Sequence, residues 1–300
     1  MRFSVWPTAN QPWADLLDTA RHAEATGWDG LWIADHFMGN APGTPAELPT
    51  LEAGSLVAAL AAAVDRVRIG TLVYGNTYRH PAVVANMAAT VDHISGGRFT
   101  LGLGTGWQIN EHEQYGIDLP PAGELVDRFS EAIQIVSGLL RQPTTTFAGR
   151  HYTVTDALCE PKPVQERLPI LVGARQNRML GVVARHADVW NTWAAPDHLA
   201  ERSGALTRAC ERAGRDPDEI DRTAQALLFI TDDDAAADRL AERSPRPVMA
   251  GPPERLRDVV AAYAEAGLDE LIVPDATLGS GQQKRDLLDT FIGEVAPAFR

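Results

Sequence analysis

Runs with strand character and runs with helical periodicity alternate through all 300 residues of this chain. A strand, a helix and a further strand fit together most simply as parallel neighbours, so the alternation points to a parallel sheet covered by helices. The strand-type runs are Arg2–Trp6, Gly30–Ala34, Val67–Val73, Arg98–Leu103, Ile170–Val172, Asp188–Asn191, Thr223–Ile230 and Glu270–Pro274. Arg246–Met249 reads as a further short strand or an irregular stretch. Helical stretches separate them, among them Pro12–Thr26, Leu51–Val64, Pro81–Ile94, Ala122–Leu140, Arg178–Arg185 and Pro252–Ala266. Gly27, Ser95-Gly96-Gly97 and Gly267 supply helix stops. About eight such units make a closed TIM (β/α)8 barrel. Thr144–Thr155 breaks the pattern. Its Thr, Phe, Tyr and Val residues around Ala148-Gly149-Arg150 read as a β-hairpin inserted after the fourth helix. No Gly-, Ser- or Pro-rich linker divides the chain, so residues 1–300 are expected to form one barrel domain.

Composition narrows the function. A hydrophobic share of 45% supports a packed core. The formal net charge of -13 argues against nucleic acid or an anionic membrane surface as the main ligand. The two cysteines, Cys159 and Cys210, lack CxxC spacing, which argues against a disulfide framework or a structural zinc site. The N-terminus lacks the apolar core of a signal peptide, and the Ala53–Val64 stretch is too short to span a bilayer. A soluble cytoplasmic enzyme acting on a small molecule is the expectation.

In a parallel barrel, residues just past the strands' C-terminal ends face the active site. Asp35-His36 follows the second strand. His36 is a candidate proton carrier near neutral pH, and Asp35 could orient its imidazole. Read alone, the pair could equally be loop architecture. Gly75 and Asn76, after the third strand, permit unusual backbone angles close to a flat ligand. Arg79-His80-Pro81 reads as a helix start, and Glu52 as a first-turn acid favoured by the helix dipole. Gly102-Leu103-Gly104-Thr105-Gly106-Trp107 follows the fourth strand. No apolar-periodic helix follows these glycines, so a dinucleotide-binding loop is set aside for a strand-end bulge that seats a planar ring. Glu111, His112 and Glu113 are adjacent rather than four apart, so they read as a solvated loop and not a metal site. Gly173-Ala174-Arg175-Gln176-Asn177-Arg178 leads into a helix N-terminus, where unpaired N–H groups favour an anion and Arg175 and Arg178 could add charge. Trp107 and Trp193 could wall an aromatic ligand's pocket. With no metal or covalent site evident, an organic cofactor would have to carry difficult chemistry.

These pieces in this order resemble the bacterial luciferase-like family, in particular its coenzyme F420-dependent oxidoreductase branch. The resemblance is carried by Trp32-Ile33-Ala34-Asp35-His36-Phe37, Leu51-Glu52-Ala53, Ile69-Gly70-Thr71-Leu72-Val73 and Arg79-His80-Pro81. It continues through Ser95–Trp107 and Ala187-Asp188-Val189-Trp190-Asn191. It implies a deazaflavin lying across the barrel mouth, with His36 beside its hydride-carrying carbon and Asp35 next to it. Thr71, Leu72 and Val73 would border a non-prolyl cis peptide backing the ring. Gly104, Thr105 and Gly106 would lie along the cofactor, and Gly173, Ala174, Arg175 and Arg178 would cradle its phosphate. The sugar-phosphate dehydrogenases of this branch carry glutamate where Trp107 stands and tryptophan near Gly39 and Asn40, so glucose 6-phosphate is not the expected substrate.

The expectation is therefore F420-dependent hydride transfer to or from a small organic substrate, by a homodimer as in the family. The alternative within the superfamily is an FMN-dependent two-component monooxygenase, which must shield a reactive oxygen intermediate from water. A non-catalytic binding barrel is the reading from a different class. The Gly39–Pro49 loop, with Pro42, Gly43, Pro45 and Pro49, is expected to act as a lid.

Overall fold

A computed structural model describes residues 1–39, 45 and 47–300. The expected Gly39–Pro49 lid lies largely outside the described residues. The strands are β1 (Arg2–Trp6), β2 (Gly30–Ile33), β3 (Arg68–Thr71), β4 (Tyr74–Gly75), β5 (Phe99–Gly104), β6 (Thr145–Ala148), β7 (Thr153–Ala157), β8 (Ile170–Gly173), β9 (Val189–Trp193), β10 (Asp221–Gln225), β11 (Leu227–Ile230), β12 (Val248–Gly251) and β13 (Glu270–Pro274). The helices are α1 (Trp13–Thr26), α2 (Ala53–Ala63), α3 (Pro81–Ser95), α4 (Ile109–Tyr115), α5 (Ala122–Arg141), α6 (Asn177–His186), α7 (Pro196–Ala213), α8 (Asp234–Arg243), α9 (Pro253–Glu265) and α10 (Gly281–Thr290).

Eight parallel strands run in the order β3-β2-β1-β13-β10-β9-β8-β5, and a β3–β5 pairing closes the ring. The closing register sets Ile69 against Phe99 and Gly70 against Thr100. This is the TIM (β/α)8 barrel expected from the alternation. The hairpin β6–β7 is antiparallel and follows α5. Two strand runs end earlier than the sequence reading had them. The third ends at Thr71, before a cis peptide bond between Leu72 and Val73, and β4 resumes against β5. The seventh ends at Gln225, and β11 then turns out of the barrel to pair with β12, Leu227 opposite Val248. Apolar patterning cannot register this departure, because both halves carry strand-type residues.

Two apolar layers hold the barrel. The larger lies between strands and helices and runs from Phe3 to Ala296. The smaller fills the inside of the barrel with Trp32, Leu72, Leu171, Val189 and Ile272. Trp32 fits there because Gly70 opposite has no side chain; a Cβ on Gly70 would lie 2.2 Å from the Trp32 ring. Buried Glu270 fills the strands' N-terminal end, accepting from Ser4 Oγ at 2.6 Å, Trp32 Nε1 at 2.8 Å and Arg68 Nη2 at 3.0 Å. A buried carboxylate needs such partners. The interior is therefore closed below, and the C-terminal mouth is left as the opening.

Candidate active site

The mouth holds a cleft of about 270 Å³, close to the lower end of the range for ligand and cofactor sites. Seven barrel strands contribute to it. Trp6 comes from β1, Asp35 and His36 follow β2, Leu72 and Val73 follow β3, and Gly104-Thr105-Gly106-Trp107 ends β5. Gly173, Ala174 and Arg175 come from the end of β8, Asn191, Thr192 and Trp193 from β9, and Gln225 from β10. Gly75, Tyr78 and Arg246 complete the lining.

His36 stands at one wall, edge-on to Trp107 at 5.5 Å between ring centroids. Its acid partner is not Asp35. Glu111, from α4, accepts at Oε1 from His36 Nδ1 at 3.2 Å and from the backbone N–H of Phe37 and Met38 at 2.9 and 3.3 Å. Glu111 Oε2 accepts from Tyr78 Oη at 2.5 Å. Burial pushes the Glu111 carboxyl up. The hydrogen bonds of His36 and Tyr78, the imidazolium charge and the Phe37 N–H outweigh it and hold the group below the usual carboxylate range. Burial and the Glu111 hydrogen bond push the Tyr78 phenol up, so it stays a donor. Held through Nδ1, His36 has Nε2 without a protein partner among the described residues.

This corrects the expectation of a solvated loop at Glu111, His112 and Glu113. Glu111 and His112 are buried and only Glu113 is exposed. His112 is pinned through Nδ1 to Gln108 O at 2.5 Å and through Nε2 to Thr77 Oγ1 at 2.7 Å. The seven residues of α4 are too few for periodicity to show, and their inward side chains are polar, so hydropathy gives no signal.

Asp35 is also buried, but it turns from the imidazole to Arg79. The guanidinium makes paired bonds of 2.7 and 2.9 Å to Asp35, and a third of 2.6 Å to Glu52. Gly75 N donates to Asp35 at 2.9 Å, and the Arg79 guanidinium lies 4.7 Å from the Tyr74 ring centroid. The Asp35 and Glu52 carboxylates outweigh burial and raise the Arg79 pKa. Arg79 is thus more than helix-start architecture. His80 does cap α3, its Nδ1 accepting from Ala82 N, with Pro81 in the first turn. Glu52 is the N-cap of α2 rather than a first-turn acid, accepting from Gly54 N and Ser55 N.

The β5 glycines serve the protein's own backbone. A Cβ on Gly102 would fall 1.8 Å from Thr71 O, and one on Gly104 would fall 2.6 Å from Val73 Cγ2. Val73 therefore presses into room that Gly104 leaves. Thr71, expected along the cofactor, is buried outside the cleft, where its Oγ1 accepts from Gly102 N and donates to Gly102 O, both at 2.8 Å. Asn76 is likewise turned away, its Nδ2 donating to Tyr152 Oη at 3.3 Å on the hairpin side.

Arg178 leaves the expected anion cradle too. Its guanidinium donates to Gly123 O at 2.9 Å and to Asp127, both on α5. Those acceptors lie directly opposite the first turn of α6, and the long side chain reaches them. Arg175 does line the cleft, and Arg246 joins it from the segment before β12. Neither is paired with a carboxylate among the described residues. Burial first, then the nearby Arg175 charge, lowers the Arg246 pKa. Arg246 lies over the Trp193 ring at 4.6 Å, and Trp193 tilts against Trp6 at 5.8 Å. The α6 N-terminus carries no side-chain cap from Gln176. Two cations and free helix N–H groups suit an anion, and the tryptophans suit a flat ring. No sequence signal marks these residues: Arg246 precedes β12 outside the barrel, Tyr78 follows β4 as an ordinary loop aromatic, and Gln225 lies inside what reads as one continuous strand run, Thr223–Ile230.

No cluster of metal-ligating side chains occurs among the described residues, and no helix there is long and apolar enough to cross a membrane. The sequence is 29% identical to the F420-dependent glucose-6-phosphate dehydrogenase of Kineococcus radiotolerans, over 95% of this chain and 93% of the relative. It is 30% identical to the pyrimidine monooxygenase RutA of Cronobacter sakazakii, over 83% and 84%. In fold it is similar to an F420-dependent secondary alcohol dehydrogenase in complex with an F420-acetone adduct, with a TM-score of 0.85, 21% identity, and 100% and 99% of the two chains covered. A coenzyme F420-dependent tetrahydromethanopterin reductase from Methanopyrus kandleri gives a TM-score of 0.84 at 19% identity, over 100% and 99%. The description luciferase-like monooxygenase belongs to the family whose sequence model matches residues 1–267, and this chain is a member of that family.

Proposed function

We propose that this chain is a coenzyme F420-dependent oxidoreductase that moves a hydride between the deazaflavin and a small organic alcohol or carbonyl compound. The observation that carries the reading is His36 at the cleft wall, clamped through Nδ1 by buried Glu111 with Nε2 left to exchange a proton. The relatives named for F420 chemistry support it. When bound, the deazaflavin supplies a carbon that gives or takes a hydride. His36 gives or takes the accompanying proton at Nε2. Glu111 fixes the tautomer and balances the imidazolium, and Tyr78 holds Glu111 ionised and in place. Arg175, Arg246 and the α6 N-terminus would hold the anionic side chain of the cofactor, while Trp6 and Trp193 offer flat walls. Leu72 and Val73 back the cleft, with Gly75, Gly104, Thr105, Gly106, Gly173 and Ala174 along it. Trp107 stands beside His36 as an apolar neighbour, which suits an uncharged substrate better than a sugar phosphate.

A second reading, an FMN-dependent two-component monooxygenase, is supported by the similarity to pyrimidine monooxygenases. Fluorescence titration of the purified protein with F420 and, separately, FMN tests both. Tight F420 binding with weak FMN binding is the expected result. Preference for FMN would move the assignment to the monooxygenase, and binding of neither would remove the cofactor assignment.

A further inference from the structure

Three side chains and one backbone carbonyl on β9 and β10 form a relay with a fixed direction. Trp190 O is a backbone carbonyl and can only accept, so Thr223 must donate its hydroxyl to it, at 3.1 Å. Thr223 Oγ1 then accepts from Asn191 Nδ2 at 2.8 Å. That turns Asn191 Oδ1 toward Gln225, whose Nε2 donates to it at 2.9 Å. Each amide is thus oriented by the one before it, back to a group that cannot be reversed. The relay ends on Gln225 Oε1, a buried oxygen without a protein partner, on a residue that lines the cleft. Gln225 is only 4% exposed, so its amide is held by the surrounding protein.

We infer that Gln225 Oε1 is a recognition acceptor for the bound ring and takes a hydrogen bond from its imide N–H. The inference rests on the cofactor reading above. A buried acceptor left without a donor costs free energy, and a cofactor site places such groups to fix orientation. The flat ring of a deazaflavin or a flavin carries an imide N–H between two carbonyls, and such a donor would satisfy the Gln225 oxygen. Thr223 and Asn191 act as positioning residues, because they decide that Gln225 presents oxygen rather than nitrogen.

The test uses the deazaflavin chromophore without its anionic tail, and the same chromophore methylated at the imide nitrogen. FMN and its imide-methylated form are titrated in parallel. Wild-type protein should bind the unmodified ring roughly tenfold more tightly than the methylated one. Gln225→Met keeps the side chain's length and removes the acceptor. It should bind both forms with similar, weakened affinity. Wild-type indifference to methylation would overturn the inference, and so would a folded Gln225→Met protein with undiminished affinity for the unmodified ring. The methylation arm needs no variant, so it can overturn the inference even if Gln225→Met fails to fold. Wild-type binding of F420 or FMN without sensitivity to methylation sinks this inference alone. Binding of neither cofactor sinks the cofactor reading with it.

Discussion

His36 Nδ1 and Glu111 Oε1 meet at 3.2 Å across 75 residues of sequence, and this contact makes the imidazole part of a site. The same carboxylate oxygen takes the N–H groups of Phe37 and Met38, so the backbone that carries His36 is fixed by the group that balances its charge. Glu111→Gln keeps the shape and removes the charge. We expect kcat to fall about tenfold or more, with KM and F420 affinity within about twofold, as for the loss of a charge-assisted bond to a proton carrier. His36→Ala should cost roughly 10²–10⁴-fold in turnover. Steady-state kinetics beside F420 titrations check both.

The same carboxylate gives a pH dependence of stability. Its folded-state pKa lies below the ordinary value of 4.5, so it binds protons more weakly folded than unfolded. Its contribution is present above about pH 4.5 and is lost as pH falls through the lower folded value. Denaturant unfolding of wild type and Glu111→Gln should therefore show a stability gap at neutral pH that narrows on acidification below about pH 4.5. A gap that is constant down to about pH 3 would contradict this assignment.

Arg79 is the only cation bonded to buried Asp35 among the described residues. Arg79→Met leaves that carboxylate uncompensated and should cost about 3–5 kcal/mol of unfolding free energy. Arg79→Lys should recover only part, because a lysine cannot reproduce the paired bonds to Asp35 or reach Glu52 in the same geometry. Chemical denaturation measures the loss directly.

Arg175 and Arg246 converge on the cleft from segments distant in sequence. Replacing either with Gln should weaken F420 binding about tenfold and flatten the salt dependence of its affinity. Arg178→Gln, whose guanidinium is spent on α5, should leave F420 affinity within about twofold. Titration across ionic strength separates the three variants.

The closing edge of the barrel depends on Gly102. A methyl group there would overlap Thr71 O, which is backbone and cannot rotate aside. Gly102→Ala should lower stability by roughly 3 kcal/mol or more, or prevent folding. Soluble yield and thermal unfolding check it.

Much of the architecture was open to inspection in the linear chain. The alternation of short apolar strands with amphipathic helices specifies a parallel barrel, because periodicity is local and each element records which face it buries. Chain order along the barrel also placed Asp35-His36, Gly104-Thr105-Gly106-Trp107 and Gly173-Ala174-Arg175 at one end, since all follow strand C-termini. What a residue's neighbours are is not local. Asp35 sits beside His36 in sequence, yet its carboxylate belongs to Arg79, and the imidazole belongs to Glu111. Arg178 stands in the expected phosphate loop but is captured by α5, while Arg246 arrives unannounced from before β12. Gln225 looks like an ordinary strand residue until β10 ends and β11 turns away, leaving its amide oxygen at the cleft. The sequence by itself determined the barrel and the end at which its chemistry sits. Only the tertiary structure decided which charges pair and which polar groups are left for a ligand, because hydrogen bonds and ion pairs depend on ångström-scale approach between segments that sequence spacing does not encode.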